Sequence, residues 1–233
     1  MIAREGLLFI MTGLVVTVPV IWAALRWDSW WLFGVGALLA LLTLFCMFFF
    51  RDPPRQCRAN PVVLLAPADG TIVKIDNIEN QPHIGGRATR VAIFLSIFDV
   101  HINRIPIDGR VDFVTYRPGK FFAAYKDNAS EANERTEIGL TSASGQRLVV
   151  RQIAGVLARR IVCRIEDGDN VKAGEKFGMI RFGSRTELLI PAGSEVRVQL
   201  GEKVRAGLTV LAKLPEGAAA AAGNAAREAD VEI

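Results

Sequence analysis

The chain has only two histidines, His83 and His101, so proton transfer near neutral pH has few places to start. His101 lies in Ser96-Ile-Phe-Asp-Val-His-Ile-Asn-Arg-Ile-Pro, flanked by apolar residues at the end of a predicted strand. By itself that context suits a satisfied structural histidine as well as a proton donor. His83, in Gln-Pro-His-Ile-Gly-Gly, reads as part of a surface turn. Asp69, in Pro-Ala-Asp-Gly, reads as a β-turn aspartate supporting Gly70. Ser184 follows Gly183 but has no Gly-x-Ser-x-Gly elbow around it, so α/β-hydrolase chemistry is unsupported. The three cysteines, Cys46, Cys57 and Cys163, are too few and too scattered for a disulfide framework or a zinc cage. No metal-ligand motif, phosphate loop or dinucleotide fingerprint occurs, and no metal is expected.

These residues must be positioned by two very different parts of the chain. Leu7 to Leu25 and Trp30 to Phe50 carry no charge. As helices they would span roughly 28 to 32 Å, the thickness of a bilayer core. Only Arg26, Trp27, Asp28 and Ser29 separate them, which predicts a two-helix transmembrane hairpin over residues 1–50. All four tryptophans, Trp22, Trp27, Trp30 and Trp31, gather at its closed end, as in an interfacial aromatic belt. Pro19 predicts a kink in the first helix. A cleaved signal peptide is the competing reading, opposed by the length of the first run and the second that follows at once. Arg4 precedes the first run and Arg51, Arg55 and Arg58 follow the second, whereas the loop has only Arg26. The positive-inside bias then predicts a cell (inner) membrane protein with everything after residue 50 in the cytoplasm. Unpaired cysteines suit that compartment.

Residues 51–60, with Arg51-Asp-Pro-Pro-Arg, read as a linker. From 61 to 214 short β-branched runs alternate with turn signals: Val62–Ala66, Thr71–Ile75, Arg90–Ile97, Gly109–Tyr116, Arg147–Ala154, Ile161–Ile165, Lys176–Arg181, Glu187–Ile190, Glu195–Gln199 and Leu208–Leu214. This predicts a β-rich, mainly antiparallel α+β domain, with a helical candidate at Lys126–Thr136 and a helical turn at Val156–Arg160. Gly168-Asp-Asn-Val-Lys-Ala-Gly-Glu and Gly201-Glu-Lys-Val-Arg-Ala-Gly-Leu repeat 33 residues apart. They are similar to the hammerhead turns of biotinyl- and lipoyl-carrier domains, which implies a barrel-sandwich-like core. No carrier lysine stands between them, where Phe182-Gly183-Ser184-Arg185 is found instead. The Ala-rich, acidic tail 215–233 is expected to be disordered. The hairpin is neutral and the tail acidic, so the net +4 of the chain understates how basic the β domain is. That balance favours anionic membrane lipids; no basic–aromatic nucleic-acid motif occurs, and no nucleic-acid partner is expected.

The order PADG, FDVHINRIP, PGKFF, NER, FGSR behind a membrane hairpin resembles phosphatidylserine decarboxylase, in the short membrane-anchored form of that pyruvoyl-dependent family. The resemblance runs from about Pro61 to Leu214. It implies self-cleavage of a proenzyme between Gly183 and Ser184, leaving a heterodimer of chains 1–183 and 184–233 with a pyruvoyl group derived from Ser184. It implies a Schiff base between that group and the amine of phosphatidylserine, and release of phosphatidylethanolamine. His101 matches the position of the proton donor in decarboxylation, and Asp69 that of the residue orienting the base in maturation.

Longer relatives have the pattern Asp-Tyr-His-x-x-His-x-Pro, whereas this chain reads Asp99-Val-His101-Ile-Asn-Arg104-Ile-Pro106. Arg104 stays protonated and cannot be a base. Either His101 serves both steps, or maturation relies on Asp69 and a water. Arg104, Lys120 and Arg185 are candidates to meet a phosphate or carboxylate. Phe121 and Phe122 are candidates for an apolar loop reaching the bilayer, with core packing as the alternative. Two other readings stay open: a pyruvoyl decarboxylase of a soluble amino acid, and a membrane-tethered hammerhead-type module whose Gly-Ser bond stays uncut. A higher homo-oligomer is left open.

Overall fold

The structure is a computed structural model that describes residues 1–57, 60–122, 129–155, 160–181 and 184–215. It divides into two compact units, Met1–Pro54 and Arg55–Ile233.

The first unit is an antiparallel helical hairpin of α1 (Arg4–Arg26) and α2 (Trp30–Phe49), both long and apolar enough to cross a membrane. Small residues let the helices approach. A Cβ on Gly13 would lie 2.5 Å from Thr43 Oγ1, and the Thr17 and Thr43 hydroxyls sit 3.4 Å apart. Such close small-residue packing suits a lipid setting, where apolar burial alone does not drive helices together. Leu8, Val15, Trp22, Leu38, Leu41 and Leu44 point outward and are exposed. At the open end the chain is tied off by Ala3 N–H to Phe50 O at 2.8 Å and Asp52 N–H to Met1 O at 2.7 Å.

The second unit is built of antiparallel strands. They are β1 (Val63–Leu65), β2 (Gly70–Gln81), β3 (Gly86–Leu95), β4 (Ile102–Arg104), β5 (Gly109–Arg117), β6 (Arg135–Ser142) and β7 (Arg147–Ile153). They continue with β8 (Ile161–Cys163), β9 (Asn170–Val171), β10 (Lys176–Ile180), β11 (Ser184–Pro191), β12 (Glu195–Val196), β13 (Lys203–Val204) and β14 (Val210–Lys213). A short helix α3 (Ala129–Ala132) precedes β6. Among the described residues the strands form one curled eight-stranded sheet, β13-β2-β3-β11-β7-β6-β5-β9, and two three-stranded sheets, β1-β14-β12 and β4-β10-β8. Val91, Ile93 and Leu95 of β3, Val150 of β7, and Leu188 and Ile190 of β11 fill the core from one face of the large sheet.

The predicted architecture of apolar hairpin plus antiparallel β domain is what the structure has. Several boundaries differ. Of the helical prediction at Lys126–Thr136, residues 126–128 lie outside the described residues, Ala129–Ala132 form α3, and Arg135 and Thr136 already belong to β6, because they pair with Ile153 and Gln152 of β7. Strand β11 begins at Ser184 rather than Glu187: Ser184 and Arg185 pair with Leu95 and Phe94. Residues 156–159, and the tail from 216 onward, lie outside the described residues.

The repeated turns are structurally equivalent. Gly168 and Gly201 have φ of 91° and 83°, and Gly174 and Gly207 have 79° and 70°, values natural only to glycine. They are served by a second repeat. Pro106-Ile-Asp-Gly109 echoes Pro67-Ala-Asp-Gly70, and the bonding echoes with it. Asp69 Oδ1 accepts from Ala206 N–H at 2.8 Å, and Asp108 Oδ1 accepts from Ala173 N–H at 2.7 Å. Gly207 N–H reaches Ala66 O, and Gly174 N–H reaches Ile105 O, each at 2.8 Å. An internal repeat of sequence and bonding thus joins the two turns to the strands they serve.

Candidate active site

Ser184 and His101 are both fully buried. Alternation along β11 puts Ser184 and Thr186 on the face of Leu188 and Ile190, toward the core. Ser184 pairs with Leu95 at the end of β3, and the chain from there runs through Ser96–Val100 to His101 and β4. Asn103 Nδ2 donates to Thr186 Oγ1 at 3.2 Å, so β4 is bonded directly to β11. His101 stands two residues before Asn103, as Ser184 stands two before Thr186.

The ring of His101 is oriented by the backbone: Nδ1 lies 2.9 Å from Asp99 O. A carbonyl only accepts, so Nδ1 carries the proton, and in the neutral ring Nε2 holds the lone pair. Ser184 Oγ is buried and has no hydrogen-bond partner among the described residues. A stranded hydroxyl costs about 1–3 kcal/mol, which makes this position a strain reservoir or a reaction centre.

Asp69 lies elsewhere in the network. Arg55 Nη1 and Nη2 donate to its two carboxylate oxygens at 2.5 and 2.7 Å, with Ala206 N–H as a third donor. The Asp99 carbonyl contacts the His101 ring, and Asp69 holds a turn, as Asp108 does in the other repeat. Arg55, read from sequence as linker, is the one partner without an echo. Its Nη1 also reaches Ala206 O at 2.7 Å.

The other sequence candidates separate. Arg104 is buried and donates through Nη1 to Gly174 O at 2.8 Å, inside the seam of the repeats. Arg185 points to the face opposite Ser184, where Nη2 lies 2.8 Å from Glu187 Oε1. That second face carries a buried charge lattice. Arg151 and Arg90 stand 3.7 and 3.8 Å from Glu187, and Arg135 Nε donates to Glu137 at 2.8 Å. At its edge burial pushes the Asp76 carboxyl up, but its hydrogen bonds and attraction to Arg90 outweigh this and hold it below the ordinary range. His83 belongs to this side too, 3.2 Å from Asp112 and edge-on to Phe113 in a cleft of about 680 Å³. Gly183 lies outside the described residues.

Lys120, Phe121 and Phe122 are held by a residue whose role sequence reasoning missed. Asn133 Nδ2 donates to Phe122 O at 2.8 Å and Ala154 O at 2.7 Å, while its Oδ1 accepts from Phe122 N–H at 2.9 Å. Gly119 permits the approach, since a Cβ there would stand 2.5 Å from Glu134 N. The two phenylalanine side chains are left partly exposed. A second missed residue is Gln152, whose Nε2 donates to Asn103 Oδ1 at 2.8 Å. Asn133 opens the NER motif, but its role shows only in the bonding, and Gln152 carries no sequence motif of its own.

Comparison with known proteins identifies the family. The phosphatidylserine decarboxylase family model matches residues 42–212. A phosphatidylserine decarboxylase proenzyme of Symbiobacterium thermophilum is 46% identical over 215 residues, covering 92% of this chain and 96% of that protein. Proenzymes so named from Desulfotalea psychrophila and Prosthecochloris aestuarii are 40% and 42% identical, over 91% and 92% of this chain and 96% and 98% of theirs. With a match over more than half its length and relatives covered almost end to end, the chain belongs to the phosphatidylserine decarboxylase family.

Proposed function

We propose that the enzyme decarboxylates phosphatidylserine to phosphatidylethanolamine with a pyruvoyl group that it makes from its own Ser184. The observation that carries this reading is the buried Oγ of Ser184 at the start of a central strand, without a hydrogen-bond partner among the described residues. In maturation Oγ attacks the carbonyl carbon of Gly183, and the C–N bond between the two residues breaks to leave an ester. The Cβ–Oγ bond then breaks as Cα loses a proton, and Oγ stays with the Gly183 carboxylate. Water replaces the nitrogen of residue 184, which leaves as ammonia. The stranded hydroxyl would thereby leave residue 184, which in the uncut chain pairs with Leu95. The residues present fit the group.

When formed, the pyruvoyl group supplies a carbonyl for the substrate amine and a sink for the electron pair left as carbon dioxide departs. The remaining work is done by side chains. Arg104 is a permanent cation on Gly174 O, so we assign both proton transfers to His101 Nε2. It takes a proton during self-cleavage and returns one to the substrate α-carbon after carbon dioxide has left. Asp69, clamped by Arg55, enters maturation by fixing the turn that leads into β2. Lys120, Phe121 and Phe122 are the lipid-facing candidates, the ammonium for phosphate and the rings for the acyl boundary.

The same reading places the hairpin in the cell membrane, with Arg4, Arg51 and Arg55 and the catalytic domain on the cytoplasmic side. Residues 1–50 would be the anchor, 51–60 the linker and 61–214 the decarboxylase domain, with 215–233 as a tail. Denaturing electrophoresis of the purified full-length protein tests the proposal. Two fragments meeting at Gly183–Ser184 are expected, and a single chain in the Ser184→Ala variant. A wild-type chain that stays whole in its native membrane refutes it and favours an uncut binding module.

A further inference from the structure

We propose that Gln152 accepts a hydrogen bond from the amine of the phosphatidylserine headgroup; this rests on Ser184 being the reacting position. Gln152 is fully buried on β7 and pairs with Thr186 of β11. Ser184, two residues earlier on the same face, is its diagonal neighbour, a separation of about 7–8 Å between Cα atoms that long side chains bridge. The amide cannot turn. Its Nε2 donates to Asn103 Oδ1 at 2.8 Å and to Val162 O at 3.3 Å, and both partners are carbonyl oxygens. Gly178 makes room for this anchoring, because a Cβ there would stand 2.8 Å from Nε2.

With Nε2 fixed, Oε1 faces away from both anchors. It is buried and has no hydrogen-bond partner among the described residues, the same condition as Ser184 Oγ. A buried amide oxygen left without a donor is costly, and a ligand donor relieves that cost. The headgroup of phosphatidylserine offers one kind of donor. Its carboxylate, phosphodiester and acyl carbonyls only accept, so the ammonium is the only group that matches Oε1. An acceptor here also turns the carboxylate away from itself, which sets the amine rather than the acid toward residue 184. The alternative donor is the nitrogen of Ser184, freed during self-cleavage.

The test uses the full-length chain with Ser184→Ala, so that no prosthetic group forms and only binding is read. Calorimetry compares soluble short-chain phosphatidylserine with its N-trimethylated analogue, which has no N–H. We expect a preference of about tenfold for the unmodified amine. Gln152→Met, which keeps the length of the side chain but has no amide oxygen, abolishes the preference. A cooperative thermal unfolding transition of the Gln152→Met chain in detergent shows that it folds. Equal affinity for the two lipids, or a preference that survives Gln152→Met, overturns the proposal. Slowed self-cleavage with unchanged lipid preference overturns it too, and gives Oε1 to the nitrogen of Ser184. Absence of cleavage at Ser184 in the otherwise native chain strikes the underlying reading instead.

Discussion

Asn103 on β4 donates to Thr186 on β11 at 3.2 Å, and this bond ties the strand after His101 to the strand that opens with Ser184. Gln152 closes the network by donating to Asn103 Oδ1. The two candidate reacting residues are thus held by neighbours two positions away, not by each other's bonding. Thr186→Val removes the acceptor but keeps the shape. Self-cleavage should slow about fivefold, the equivalent of about 1 kcal/mol, while Thr186→Ser cleaves at the wild-type rate. Time-resolved electrophoresis of freshly synthesised protein measures it.

The mature chains should not separate under native conditions. Strand β11 opens the smaller chain yet lies between β3 and β7, and β13 and β14 pair with β2 and β1 of the larger chain. Both fragments should elute together in detergent and part only in denaturant. A small fragment that leaves during native chromatography would contradict the register described here.

Asp69 and Asp108 do the same job in the two repeats, but only Asp69 also holds Arg55, in a pair whose side chains are 7% and 11% exposed. Asp69→Asn leaves a buried guanidinium without its carboxylate and should cost about 3–5 kcal/mol. Asp108→Asn, which weakens a bond to one backbone N–H, should cost about 1–3 kcal/mol. Thermal unfolding of full-length protein in detergent compares them. Equal losses would mean that the Arg55 pair adds nothing.

Asn133 binds the backbone of Phe122 and Ala154 through three hydrogen bonds. Asn133→Ala should therefore free the Pro118–Phe122 segment and raise its rate of proteolysis severalfold. Phe121→Ser with Phe122→Ser should leave proteolysis unchanged and weaken binding to anionic vesicles. Unaltered vesicle binding would remove these rings from the lipid-facing surface.

The hairpin was fully legible, because an uncharged run of bilayer length has few other uses. The β domain was legible as a class and less so in its edges. Ser184 and Arg185 read as loop because Gly-Ser-Arg is turn-like locally, whereas pairing with Leu95 and Phe94 draws both into β11. The echo of Pro67–Gly70 in Pro106–Gly109 was hidden by dissimilar flanks; only the matching bonds of Asp69 and Asp108 expose it. Arg185 illustrates a further limit. Adjacent to Ser184 in sequence, it faces the other side of the sheet, since side chains alternate along a strand. Gln152 could not be chosen from sequence, and Asn133 was marked only as the start of NER, because a neutral amide gains its role from what the fold sets beside it.

The most direct test of the central claim is the intact mass and end-group chemistry of the small fragment from native membranes. The account predicts a fragment starting at residue 184 that lacks an amino terminus and reacts with a carbonyl reagent. A small fragment ending in a free serine amine, or an uncut 233-residue chain, would contradict it.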